Sequence, residues 1–184
     1  MVKAPPISRR LALGAAAVVA VGLAAVLAAT LVVSGRPAAT RAPEYLSTAS
    51  SSFAAQAANW FPSWVVLPAG YARTTFGFEV AERLQPATPT YLSRVRLEAD
   101  FERYGRCLWM QDWMSAEVSN DLDGMSSAAV VLRESATWPA TVATASNSVA
   151  GLKAMARSAA ELELGPVSRD FAMSCPALPP TATN

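Results

Sequence analysis

Residues Leu11 to Val33 form an unbroken run of 23 uncharged, almost wholly apolar residues. A helix of that length, at about 1.5 Å per residue, reaches across a hydrocarbon core of about 30 Å. The direct reading is one uncleaved transmembrane helix over 11–33, preceded by a short cytoplasmic N-terminus over 1–10. Lys3, Arg9 and Arg10 before the run stand against Arg36 and Arg41 after it, and that positive-inside bias places the C-terminal part outside the cytoplasm. The competing reading is secretion after signal-peptide cleavage, with Ser8-Arg9-Arg10 as a basic start of partial twin-arginine type and Val26-Leu27-Ala28 as the cut. The run continues past that cut through Leu31-Val32-Val33, longer than the usual signal-peptide core of about 7 to 15 residues. No cysteine follows closely, so a bacterial lipoprotein is excluded.

Within the run Ala12, Ala16, Ala20, Ala24 and Ala28 recur every fourth residue. A stripe of small residues lets a second membrane helix approach closely, which makes these five a candidate membrane helix interface. The plain alternative is abundance, since alanine fills nine of the 23 positions.

Ser34 to Pro43 has the Gly, Pro and small-residue content of a linker, and Pro176 to Asn184 reads as a disordered tail. The 44–175 stretch between them is one extracytoplasmic domain. The clearest helix is expected from Tyr91 to Val118. Arg94, Glu98, Glu102 and Arg106 recur there as a ladder of opposite charges, expected to be a solvated face, while Leu97, Phe101, Tyr104 and Leu108 mark the buried stripe. Asn120 to Gly124 is expected as a turn, Met125 to Ser135 as a helix ended by Trp138-Pro139, and Ser148 to Leu164 as another helix. Gly165-Pro166 restarts the chain ahead of Val167, Phe171 and Cys175. Glu44 to Phe61 is alanine-rich and expected to be helical, Pro68-Ala69-Gly70 is a turn, and Phe76, Phe78 and Val80 alternate like a strand. One short strand makes no sheet alone, so the fold class is mainly α, with α+β as the alternative.

Histidine is absent, which removes the Ser-His and Cys-His nucleophile pairs and the usual zinc sites. Lys153, the single lysine after the apolar run, has Ala150 where a Ser-x-x-Lys motif needs serine. Asp121-Leu122-Asp123-Gly124 has part of a calcium-loop pattern, but Ser119 and Val130 stand where the first and last acidic ligands belong. No phosphate loop, cofactor motif or metal-ligand spacing is present, and the expected cofactor set is none. Ten dispersed basic residues beyond position 42 face all 14 acids, a net charge of −4, which argues against a nucleic-acid surface. Glu98, Asp100, Glu102 and Asp112 are the acids a carboxylate enzyme would use, although their spacing suits ion pairs with the interleaved arginines equally well.

Cys107 and Cys175 are the only cysteines. A single disulfide in an oxidising compartment is their simplest use, with two buried thiols as the alternative. Around the first of them, Arg106, Trp109 and Trp113 fall near the continuation of the charged stripe. Either the helix enters the interior there and the tryptophans are core, or the three form an exposed candidate partner surface. Trp60, Phe61 and Trp64 carry the same choice between a core strap and a membrane-interface contact.

The Arg-Arg start, the alanine-rich span, Leu67-Pro68-Ala69-Gly70, Cys107-Leu108-Trp109, Trp138-Pro139 and Cys175-Pro176 together resemble a loose class of single-span exported proteins of high-GC Gram-positive bacteria. The resemblance implies an envelope location and one disulfide, and it brings no activity or catalytic residue. Two functions follow as expectations. The favoured one is a membrane-anchored, non-catalytic envelope protein that binds or supports another envelope or membrane component, as an accessory subunit of a membrane complex would, with self-association as the alternative to a protein partner. The other is a small extracytoplasmic enzyme using carboxylates such as Glu98 or Asp112 on an envelope polymer.

Overall fold

The computed structural model describes residues 44–85, 88–175 and 177–178, all within one unit, Pro43–Asn184. The expected membrane helix over 11–33 with its alanine stripe Ala12, Ala16, Ala20, Ala24 and Ala28, and the linker over 34–43, lie outside the described residues. Among the described residues no helix is long and apolar enough to cross a membrane.

In chain order the elements are β1 (Tyr45–Ser47), α1 (Phe53–Ala58), α2 (Arg73–Leu84), β2 (Tyr91–Ser93), α3 (Arg94–Val118), α4 (Leu122–Ser135), α5 (Pro139–Thr144), α6 (Val149–Ala160) and α7 (Leu164–Ser174), with a 3-10 turn at Ser146–Ser148. The fold is mainly helical, as the periodicity implies. Its spine is α3, 25 residues long, whose start is capped when the Ser93 side chain accepts from the Arg96 amide. It ends where Asn120 takes a left-handed φ of 54° and the Asp121 amide bonds back to the Ala116 carbonyl, a reversal of Schellman type. Asp121 then caps α4 by accepting from the Gly124 amide at 3.0 Å, so the partial calcium-loop motif is a helix cap.

Expected elements are corrected in three places and extended in a fourth. Tyr91–Ser93 is the strand β2, so the helix expected from Tyr91 begins at Arg94. Residues 76–80 are helical: Phe76 and Val80, four apart, are buried in α2 while Phe78 is 40% exposed. Three alternating positions fit a helix face as well as a strand, and the longer pattern decides. The 44–61 stretch begins as β1, paired antiparallel with β2, and only Phe53–Ala58 is helical. Between them Thr48 bonds through its hydroxyl to both backbone groups of Thr90, and short polar side chains that bond the backbone in this way compete with helix. Pro139 does more than end the preceding helix, for it stands in the first turn of α5, where its missing amide costs nothing.

Two apolar clusters share α3. Leu97, Phe101, Tyr104 and Leu108 face Leu46, Phe53, Trp60, Phe76 and Val80 from β1, α1 and α2. Further along, Met110, Trp113 and Ala116 meet Met125 and Leu132 of α4, Met155 and Ala159 of α6, and Val167 of α7. The disulfide Cys107–Cys175, closing 68 residues, fixes the end of α7 to the middle of α3. Leu178 is half-buried against both clusters, a packing role that a tail beginning at Pro176 does not anticipate.

Candidate functional site

The charge ladder of α3 is the largest departure from expectation. Arg94 is half exposed and pairs with Glu98 at 2.8 Å, but Glu102 is 0% and Arg106 7% exposed. A stride of four residues overshoots one helical turn by about 40°, so the ladder winds from solvent into the interior. There the Glu102 carboxylate accepts from Trp64 Nε1 at 2.8 Å and from the amides of Ala140 at 3.0 Å and Thr141 at 2.5 Å. Those amides open α5, which has no side-chain cap of its own, so a carboxylate from α3 satisfies its orphan donors and meets the positive end of its dipole. Arg106 donates to Ser135 Oγ, to the Ser135 carbonyl and to Thr141 Oγ1 at 2.8 Å. Burial pulls its pKa down to about 10, partly opposed by Glu102 and Asp170, so the guanidinium stays charged at neutral pH.

The same stretch of α3 carries a strap. The chain over 62–72 lies against it, tied by the Trp64–Glu102 bond, by Trp109 Nε1 donating to the Val66 carbonyl at 2.9 Å, and by Arg73 donating to the carbonyls of Pro62 and Val65. Gly105 makes this approach possible, because a Cβ there would stand 2.8 Å from Val65 Cγ1. Phe61 packs on Phe101 and Phe76, with ring centroids 5.1 and 5.9 Å away. Trp60 is buried and Phe61 half-buried in the body of the domain, while Trp64 is 37% exposed and is tied to it through its bond to Glu102.

Arg106, Trp109 and Trp113 do not form an exposed patch. Trp113 is fully buried and donates to the Ala159 carbonyl at 3.1 Å, Trp109 is half-buried under the strap, and Arg106 lies inside the polar joint. The physical reason is that α3 is covered on both sides over this stretch, by the strap and by α4 to α7. Among the carboxylates singled out above, Asp100 pairs with Arg96 and Arg103 at 3.2 Å. Burial and, secondarily, the charge of Asp121 raise the pKa of Asp112, and burial and Asp112 raise that of Tyr71. Among the described residues no group of three His, Cys, Asp or Glu side chains is placed to hold a metal.

The surface that sequence reading missed is a groove of about 900 Å³ between α4 and α6. Ala129 and Ala156 are buried at its base, and Leu122, Val130 and Leu162 stand 63%, 42% and 51% exposed around it. Arg133 lines it from α4, and Lys153 and Arg157 from α6. None of the three lies within 4.0 Å of a carboxylate among the described residues. Leu162 has a left-handed φ of 62°, at the position after α6 where the Glu163 amide bonds back to the Ser158 carbonyl and where glycine is the usual residue. The available signal was the four-residue spacing of Lys153 and Arg157 beside alanines, which becomes a site only once α4 is folded against it.

No protein-family model, curated protein or solved structure matches the chain.

Proposed function

We propose that this protein is a membrane-anchored, non-catalytic subunit of the cell envelope that binds another envelope or membrane component, with the α4/α6 groove as its docking face. The groove carries the reading: apolar side chains stand exposed beside three cations that have no carboxylate partner among the described residues, a combination that a partner surface satisfies. The apolar run over 11–33 supports the anchor, and the disulfide supports an oxidising compartment. The resemblance to single-span exported proteins agrees with both.

The carboxylate-enzyme reading has Asp112 as its best acid, since a raised pKa suits proton donation. Asp112 does not line the groove, and Glu98 is committed to Arg94, so binding is the better-supported function.

The test is purification of the full chain from its native membrane in mild detergent, with intact mass measured alongside everything that copurifies. The reading expects an uncleaved mass and a stoichiometric partner that Arg133→Glu with Lys153→Glu releases. A lone chain shortened at its N-terminus would overturn it.

A further inference from the structure

We infer that the occupant of the groove is an amphipathic α-helix of a partner protein, apolar on one face and acidic along both flanks; this rests on the binding-subunit reading above. The floor sets the first requirement. Ala129 and Ala156 are small, and the distance between packed helices, about 8–10 Å, shrinks with the side chains at the contact, so a third helix can settle between α4 and α6. Leu122, Val130 and Leu162 remain exposed on the walls, where they would meet its apolar anchors in the helix-in-groove mode.

Charge sets the second requirement. Arg133 stands on one wall and Lys153 and Arg157 on the other, the last two one helical turn apart. A lone anionic head group neutralises one point. Cations on both walls and at successive turns are matched by acids repeated along a helix, as flanking charges are matched beside a coiled-coil seam. The groove is basic in a chain that carries a net charge of −4 beyond residue 42, with Glu134 the one acid among its lining residues. Its sign is therefore local and not a reflection of overall composition, and complementary charge selects the partner.

Leu162 supplies an independent observation. A leucine in the left-handed region is strained, yet this one is half exposed and gains little burial in return. Glycine would take the same backbone without strain and would remove the apolar side chain from the groove. The strained leucine is explained when that side chain is covered by the incoming helix.

The experiment uses the full chain in phosphatidylcholine nanodiscs. The probe is a fluorescent peptide with leucines at helical spacing and glutamates on both flanks, compared with a peptide bearing the same leucines and lysine flanks. The glutamate peptide is expected to bind. Arg133→Glu with Lys153→Glu, both on exposed side chains, should weaken it by about tenfold or more and make the lysine peptide the better ligand. Leu162→Gly should weaken the glutamate peptide without loss of helical circular dichroism. Equal binding of the two peptides, indifference to the charge reversal, or binding of phosphatidylglycerol vesicles in place of either peptide overturns the inference. If neither peptide binds while a copurifying partner is still released by the charge reversal, the acidic-helix inference is overturned and the binding-subunit reading stands; if there is no such partner either, both fall.

Discussion

The two ends of α3 are packed on different principles. Towards its N-terminus, Phe53, Trp60, Phe76, Phe101 and Tyr104 fill the core with aromatic rings, and the 62–72 strap covers the helix from outside. Towards its C-terminus methionine and alanine predominate, Met110, Met125 and Met155 with Ala128, Ala129, Ala156 and Ala159, joined by Leu132 and Val167 around the single fully buried ring of Trp113. Aromatic rings bury large areas in preferred edge and offset geometries. Alanine brings helices close but covers nothing beyond itself, and methionine adapts to what it meets. The first arrangement is covered by the strap, although Val66, Phe78 and Tyr91 stand exposed on it, and the second leaves the α4/α6 groove open on its outer side. Glu102 and Arg106 sit at the boundary and join the two.

Five substitutions break or sharpen that contrast, in order of expected size. Glu102→Leu leaves Trp64 Nε1 and the amides of Ala140 and Thr141 without their acceptor and removes one of the two negative charges, with Asp170, that act on Arg106, so it should cost about 5 kcal/mol in chemical denaturation and lower hydrogen-exchange protection in both halves. Loss confined to one half would show that the joint does not join them. Replacing Cys107 and Cys175 by serine frees a loop of 68 residues and should cost about 4 kcal/mol by chain entropy. Exchange should then quicken first in α7 and last in α1 and α2, whereas uniform loss would make the domain one cooperative block. Gly105→Ala gains helix propensity yet drives a methyl into Val65, and should destabilise by about 2 kcal/mol with the damage read at the strap.

Leu162→Gly should stabilise the free domain by about 1 kcal/mol, seen as a rise in Tm; a fall would mean that Leu162 belongs to the core. Asp112→Asn has the smallest effect and is read from its pH dependence. The folded Asp112 holds its proton above the ordinary value of 3.8, so the native state binds more protons than the unfolded one in that window, and stability declines as pH rises through it. The asparagine variant should lose that part of the decline and be slightly the more stable above it, and an unchanged pH profile would remove Asp112 from the account.

Much of the contrast was legible in the sequence. The stripe Leu97, Phe101, Tyr104 and Leu108 announced the first core, and Met125, Leu132, Met155 and Val167 fell on the expected faces of the second. What misled was the ladder from Arg94 to Arg106, because spacing along a helix does not say which other elements will cover it. The strap that helps to bury Glu102 comes from a segment with no periodicity at all, held by hydrogen bonds from Trp64, Trp109 and Arg73. The groove was illegible for the opposite reason: its residues are ordinary on each helix, and only the pairing of α4 with α6 gathers Arg133, Lys153 and Arg157.

The position of the disulfide also orders events in time. During synthesis at about 5–20 residues per second, the 68 residues separating the two cysteines take between about 3 and 14 seconds to emerge. For that interval Cys107 is a thiol without its partner, while every buried residue of the aromatic core, which ends at Leu108, is already available. That half can close before Cys175 arrives, and its folding fixes the start of α3 so that the waiting sulfur is presented in one place. The bond then acts as the last fastening of the domain, made by the segment that reaches it latest.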